Sequence, residues 1–447
     1  MSGVPEPRSV PLVPTVPFPE GISHLANAGL GYEADAYTNW IDESMSWKET
    51  CFIGDWSPLL LKMRVRGPDA LRFFNEVAVN SFATFAVGQA KHIVLCNDGG
   101  KVMGEGILMR HGPEDFLFTS TPGVVWAQWC LAQGGYDVEV RDETAERFIF
   151  QVQGPESLRV LEELTRQSFR EIDFMRFAER SWGEIRFEVL RQGMAGELGY
   201  ELHGCAVDSN PLWEAIVAAG EPHGIRRLGA RAKMVNHVEA SFPTPSVDYI
   251  PAWLDPDVHE FGEAMVAATP PVWSFVSRHT GSFEPAGVEE LFFSPVELGW
   301  ARSVKFDHEF RGRAALEAEV ATPRRVLVTL VWNGDDVADV FSSLLRPGEP
   351  YQQMELPRSG IGLVWADKVL AGEDQVGIAL SRCYSYFFRE MISLCVIDAG
   401  RSEPGTEVTV LWGSPGFPQK RIRATVAPAP YKQDRRRVDV NSLPRYI

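Results

Sequence analysis

The sequence predicts an α+β body followed by a C-terminal β-barrel. Two observations predict it. Up to about residue 320, helix-period and strand-period patterns mix irregularly. Beyond that point RRVLVTLVW, QVGIALS, EMISLCVIDA, TEVTVLWG and RIRATVAPA read almost entirely as strands. A chain of 447 residues, 45% of them hydrophobic, is long and apolar enough for roughly two or three domains with their own cores. The expected division is an extended, proline-rich arm over 1–30, an α+β body over 31–320, and a barrel over 321–447.

The elements follow in chain order. PDALRFFNEVA (68–78) is an amphipathic helix pattern, followed by the strands KHIVLCN, KVMGEGILMR and FLFTST. Asn97-Asp98-Gly99-Gly100 joins two of these strands as a hairpin, because such residues accept the positive φ of tight turns. RFIFQVQG is the next strand, GPESLRVLEELT (154–165) the next helix, and EIRFEVLRQG a further strand. NPLWEAIVAAGEPHG (210–224) and GRAALEAEV (312–320) complete the helix signals. The stretch 333–375, rich in Gly, Pro and acidic residues, reads as a long insertion. The closing KQDRRRV reads as a solvated basic end.

Charge and cysteine usage exclude several function classes. A net charge of −17 argues against a general nucleic-acid or anionic-membrane surface. Six scattered cysteines without a CxxC pair point to reduced thiols and a cytoplasmic protein. No window approaches about 18 apolar residues, so no membrane span is expected. The histidines show no HxxxH or HExxH spacing, so no metal is expected.

Residues 191–204, RQGMAGELGYELHG, carry four glycines but do not read as a phosphate loop. Such a loop leads into a helix N-terminus. Here the glycines lead into the alternating strand pattern GYELHG, where they mark a bulge or a close backbone approach. A carboxylate on such a strand can face a flat ligand.

The same stretch resembles the Arg-Thr-Gly-Tyr-Thr-Gly-Glu-x-Gly-(Phe/Tyr)-Glu motif of the aminomethyltransferase (glycine-cleavage T-protein) superfamily. VRGPDALRFFNEV, NDGGKVMGEGIL, FQVQGPESLRVLEEL, LGARAKMVNHVEASF, ELGWARSVKFDHEFRGRAAL and PGTEVTVLWG resemble further blocks of it in the same order, over roughly residues 40–447. VKFDHEF, VTLVWNGDD and VLWG are similar to the tetrahydrofolate-dependent aryl O-demethylases of the vanillate and syringate type. The enzyme that opens the methylenedioxy bridge of sesamin belongs to the same group. The resemblance implies a three-domain cloverleaf around a central folate site, with two intertwined domains in the body over 31–320.

It also implies chemistry. Tetrahydrofolate presents adjacent pterin N–H donors that one carboxylate can take side by side, and the resemblance puts Glu201 there, with Arg191 and Tyr200 beside it. An aryl ether leaves badly as a phenolate, so an acid is needed at its oxygen. The resemblance offers Tyr32 and Tyr249, with Tyr37 as a rival to Tyr32. The T-protein pattern has two adjacent acids on the hairpin; here they are Gly104 and Glu105, leaving Glu105 to hold or polarise the folate. The superfamily usually carries Asp-x-Ser-His-Met, or in the demethylases a His-His pair, where this chain has Asp55, Trp56 and Ser57. Trp56 becomes a candidate to stack on an aromatic substrate. The vanillate-type enzymes carry an arginine near Thr119, Ser120 and Thr121, and its replacement here predicts a neutral arene, a lignan or methylenedioxybenzene, because an unpaired buried carboxylate is costly. A methylenedioxy substrate would give a catechol and 5,10-methylenetetrahydrofolate; a methoxy substrate would give a phenol and 5-methyltetrahydrofolate. The alternatives are a vanillate/syringate-type O-demethylase, a glycine-cleavage-type aminomethyltransferase, an iron–sulfur-assembly type folate-binding protein and the folate domain of a dimethylglycine or sarcosine oxidoreductase. The last three are disfavoured by Gly104, by the missing Lys-Gly-Cys motif and by the missing flavin-binding GxGxxG respectively.

Overall fold

The computed structural model describes residues 25–27, 32–268, 279–358 and 364–447. Most of the arm expected over 1–30 lies outside these residues; within it, Leu25–Asn27 forms a short antiparallel ladder with Tyr32–Ala34.

Three larger sheets follow. A five-stranded sheet contains Leu61–Arg66, Ala90–Cys96, Val102–Gly112, Asp115–Ser120 and Glu139–Asp142. A six-stranded sheet takes Phe52–Asp55 from before that segment and Arg147–Gln153, Phe177–Trp182, Ile185–Leu190, Gly199–Cys205 and Arg226–Arg227 from after it. The two sheets are therefore interleaved along the chain. In the C-terminal region Arg325–Trp332, Val364–Ala371, Asp374–Ser385, Glu390–Asp398, Glu407–Trp412 and Lys420–Ala427 close into a barrel, the pairing Val369↔Val410 joining its two ends.

The expected helices appear as Ala70–Val77, Ser157–Thr165, Ser209–Gly220 and Arg313–Ala321. The reading of 333–375 as an insertion is corrected. Gly334–Ser343 is a helix, capped by the Asn333 side chain accepting from the Asp336 N–H, and Val364–Ala371 is a barrel strand. Turn-forming composition masked both.

The six-stranded sheet shows how a strand divides its side chains. On Gly199–Cys205, Tyr200 and Leu202 face a core with Phe150, Leu158, Leu161 and Trp213, covered by two of the helices. Glu201 and His203 alternate onto the other face. The glycines before this strand answer a packing demand. A Cβ on Gly199 would lie 2.0 Å from the Gln153 side chain, and one on Gly193 would overlap its amide outright. The backbone closes around Gln153, whose Oε1 accepts from the Ala195 N–H at 3.0 Å.

Candidate active site

A cavity of about 1330 Å³ lies against the Glu201 face of this sheet. It is bounded by the hairpin strand carrying Glu105, by the helix Ala230–Glu239, and by the segments 240–246, 299–303 and 429–437.

One wall is the Glu201 carboxylate and its donors. Glu201 sits opposite Gln151 in the ladder, so the two side chains share a face. Its Oε2 accepts from Gln151 Nε2 at 2.9 Å and from Gln192 Nε2, and its Oε1 accepts from His203 Nε2 at 2.8 Å. Burial pushes the carboxyl up. The hydrogen bond and charge of His203, with the two amides, outweigh this and hold Glu201 below the usual carboxylate range. Three protein donors already occupy the carboxylate, which offers about four acceptor positions. Gln151 Oε1 is buried beside it without a partner.

The second wall is the hairpin. Glu105 lines the cavity, and its Oε2 is 2.9 Å from His92 Nε2 on the paired strand. Gly104, the first of the two expected acid positions, touches the start of the helix Pro122–Gln133: a Cβ there would lie 2.4 Å from the Gly123 nitrogen. Close backbone packing, which a side chain would break, occupies that position. The rings of Trp300 and Phe242 lie beside His92, at 5.3 and 5.7 Å between centroids, and both line the cavity.

The third wall is built on the helix Ala230–Glu239. Lys233 is ion-paired with Glu33, donates to the Asp55 carbonyl at 2.9 Å and lies 4.4 Å from the Trp56 ring centroid. Burial outweighs the pull of Lys233 and raises the Glu33 carboxyl; it raises Asp55 as well. One turn on, His237 packs against Asp248 at 3.2 Å, while its Nδ1 lies 3.1 Å from the Lys233 carbonyl. Both ring nitrogens of His237 therefore face acceptors. Asp248 is held low by that histidine against the opposing effect of burial.

The structure brings Glu201, Glu105, Trp56 and Thr121 to this one cavity. Thr121 spends its hydroxyl on the Leu59 carbonyl, and Ser120 donates to the Glu105 carbonyl. Other expected residues are directed elsewhere. Tyr200 is buried in the core on the opposite face of the Glu201 strand, edge-on to Phe169, as strand alternation requires. Arg191 pairs with neither Glu201 nor Glu197; it donates to the backbone carbonyls of Val438 and Ile172 and ties down the C-terminal tail. Glu197 takes Lys432 instead, at 3.0 Å. Tyr37 lies outside the cavity lining, and its backbone N–H donates to Glu43. Tyr249 is fully buried behind Trp300, its ring edge-on at 6.2 Å, with no partner for its hydroxyl among the described residues. Burial, then the charge of Glu105, raise that hydroxyl well above the usual tyrosine range, so it stays protonated. Tyr32 lies on the strand Tyr32–Ala34, but its side chain is outside the described residues.

Sequence reasoning missed His92, Lys233, Gln151 and Gln192. Gln151 was legible in principle, because a strand pattern at RFIFQVQG beside one at GYELHG puts a glutamine across from the glutamate. The basic tail is solvated only in part: Arg437 is exposed, yet both Arg436 and Arg437 line the cavity, with Arg437 4.4 Å from the Phe174 ring centroid.

Comparisons with known proteins agree with this architecture. Residues 18–253 match the GCVT N-terminal domain. Sesamin methylene transferase of Sinomonas sp. (strain No.22) is 37% identical over 448 residues, spanning 95% of this chain and 96% of that protein. Syringate O-demethylase of Sphingobium sp. is 33% identical over 417 residues, 88% of this chain and 89% of that one. The aminomethyltransferase of Streptomyces avermitilis is 25% identical over 354 residues, 77% and 78% of the two chains. The crystal structure of glycine cleavage system aminomethyltransferase T from Bartonella henselae shares the fold, with a TM-score of 0.64 at 17% identity over 93% of this chain and 96% of that one. With a matching domain over more than half its length and relatives aligned along nearly all of it, the chain belongs to the glycine-cleavage T-protein family of tetrahydrofolate-dependent transferases.

Proposed function

We propose that the protein transfers one carbon from a neutral aromatic ether to tetrahydrofolate, cleaving an aryl C–O bond of a methylenedioxy or methoxy arene, with a sesamin-like lignan favoured. The product is a catechol or a phenol. The observation that carries this reading is the composition of one cavity. A buried carboxylate held ionised stands on one wall, and the aromatic rings of Trp56, Trp300 and Phe242 stand on others.

The residues around Glu201 fit a pterin edge. The remaining acceptor position on the carboxylate and the unpartnered Gln151 Oε1 offer two neighbouring acceptors for adjacent N–H donors. This differs in detail from a carboxylate taking both donors by itself, because His203, Gln151 and Gln192 have claimed most of it. When bound, tetrahydrofolate supplies the nitrogen nucleophile that accepts the carbon. Glu201 and Gln151 orient it, and His203 keeps the carboxylate charged. The aromatic walls hold the arene and exclude water, so that the reacting atoms are positioned for in-line displacement.

Neutrality of the substrate is supported by the charges on the inner walls. Thr119, Ser120 and Thr121 offer no cation, and Lys233 is already matched by Glu33. The Lys91 ammonium lies over the rings of Phe82 and Phe85. Arg302 and Arg437 are exposed, and Arg436 is paired with Asp434 at 2.8 Å.

The test is direct. Protein and tetrahydrofolate are incubated with a sesamin-type lignan, a neutral methoxyarene or vanillate, and the folate and arene products are identified by mass spectrometry. Turnover of a neutral ether is expected. Preference for vanillate would reject the neutral substrate, and turnover of none of the three would reject the aryl ether reading.

A further inference from the structure

No histidine follows the strand Phe52–Asp55, where Trp56 and Ser57 stand, and the tyrosine proposed as an acid, Tyr249, is sealed behind Trp300. The cavity nevertheless holds a proton-transfer pair drawn from a different strand. His92 and Glu105 lie on the two strands of the hairpin as diagonal neighbours two residues out of register, since His92 pairs directly with Ile107 and Glu105 with Val94, so both side chains share one face. Their side chains meet on the cavity face at 2.9 Å. Glu105 accepts at His92 Nε2 and fixes that nitrogen as a donor. His92 Nδ1 has no hydrogen-bond partner among the described residues, yet it is not sealed from solvent as Tyr249 Oη is. The ring stands beside Trp300 and Phe242, the surfaces against which a flat arene would pack.

We propose that His92 is the catalytic acid that protonates the departing aryl oxygen, with Glu105 as its positioning residue. The inference rests on the aryl ether reading above. As the C–O bond breaks, its electron pair stays on the aryl oxygen and the Nδ1 proton of the imidazolium form of His92, whose Nε2–H stays with Glu105, joins it. Tetrahydrofolate, when bound, would supply the nitrogen that takes the carbon and would release one proton there, which would balance the one His92 gives up. A carboxylate that orients a histidine and stabilises its charged form is a general device for such a donor. It places Glu105 one step from the chemistry rather than on the folate.

Leaving-group dependence separates an acid from a structural residue. His92→Ala and His92→Gln are assayed on a series of aryl ethers whose product phenols run from weakly to strongly acidic, the last bearing a nitro group. A loss of about 10²- to 10⁴-fold in kcat is expected for the unactivated ethers. The deficit should shrink steadily as the phenol becomes more acidic, because a better leaving group needs no proton. Glu105→Gln should show the same slope with a smaller loss. A second readout needs no turnover: ¹⁵N NMR of the imidazole in the free protein, titrated with the catechol or phenol product. The Nδ1 resonance should move on binding, and tetrahydrofolate affinity measured by calorimetry should be unchanged in His92→Gln. An equal loss across the series, or an Nδ1 resonance unmoved by saturating product, would overturn the assignment. If wild-type protein cleaves no aryl ether while the bound phenol still shifts Nδ1, the functional reading fails and the placement of His92 at the arene survives.

Discussion

Glu201 in the cavity wall and Asp367 on a barrel strand are both buried carboxylates beside a basic side chain, His203 and Arg382 respectively, and burial is answered in opposite directions at the two. Glu201 has three donors and stays below its usual range despite burial. Asp367 accepts from the Ser282 and Trp365 N–H groups, but burial dominates and pushes it up to about 6. Its neighbour Arg382 lies 4.2 Å from the centroids of Trp365 and Trp412, has no hydrogen-bond partner for its guanidinium among the described residues, and is lowered by burial to about 9. The barrel lets its charges drift toward neutrality. The cavity wall spends donors to keep its carboxylate ionised, which is what recognition of an N–H edge requires.

The largest test exchanges a cation for methionine in the cavity. Lys233→Met strands Glu33 and removes the donor to the Asp55 carbonyl. Breaking a buried pair in this way is expected to cost about 3–5 kcal/mol of stability, read by denaturant unfolding. Next comes Glu201→Ala, which leaves His203, Gln151 and Gln192 without their shared acceptor. Loss of charge-assisted hydrogen bonds should weaken tetrahydrofolate binding by about 10²- to 10³-fold in calorimetry. An affinity close to wild type would remove Glu201 from the folate site.

The two regions were unequally legible in the sequence. Most barrel strands announce themselves as runs of β-branched and apolar residues, Val364–Ala371 excepted, and Glu201 by its strand and its surrounding motif. The helix Ala230–Glu239 did not, because it is buried on every side. Its polar residues Lys233, Asn236 and His237 turn toward an interior cavity, so the apolar stripe that marks a surface helix is absent. Pro122–Gln133 hid for a similar reason, since its residues are apolar nearly all round. His92 was invisible as a site residue because its partner Glu105 lies on the neighbouring strand, and only the hairpin register joins them. Arg436 and Arg437 looked like a solvated end because nothing local tells a tail where it docks. The anchors are remote: Arg191 holds Val438, and Arg170 holds the carbonyls of Val440 and Leu443.

The barrel half of the comparison is sharpened by pH. With Asp367 at about 6 in the folded protein and near ~4 unfolded, the folded state binds the extra proton between those values. Stability therefore falls as pH rises through that window, by at most about 3 kcal/mol, and Asp367→Asn should abolish the fall. Glu201 has the opposite sign: its contribution is present above its unfolded value and is lost as pH drops through its lowered folded value. Unfolding free energies of the two single variants, measured from about pH 2 to about pH 7, separate the two slopes.

The smallest expected effect repeats the first exchange in the other region. Arg382→Met removes a cation whose hydrogen bonds were never made. The loss is its contact with two tryptophan faces, about 0.5–2 kcal/mol, and some attraction to Asp367. The gain is relief from burying an unsatisfied guanidinium, and methionine fills much of the same slot between the rings. These terms nearly cancel, so stability should change by less than about 1 kcal/mol while Asp367 titrates still higher. A loss as large as that of Lys233→Met would mean that Arg382 is paired in solution, and the contrast between a satisfied cavity and a frustrated barrel would fail with it.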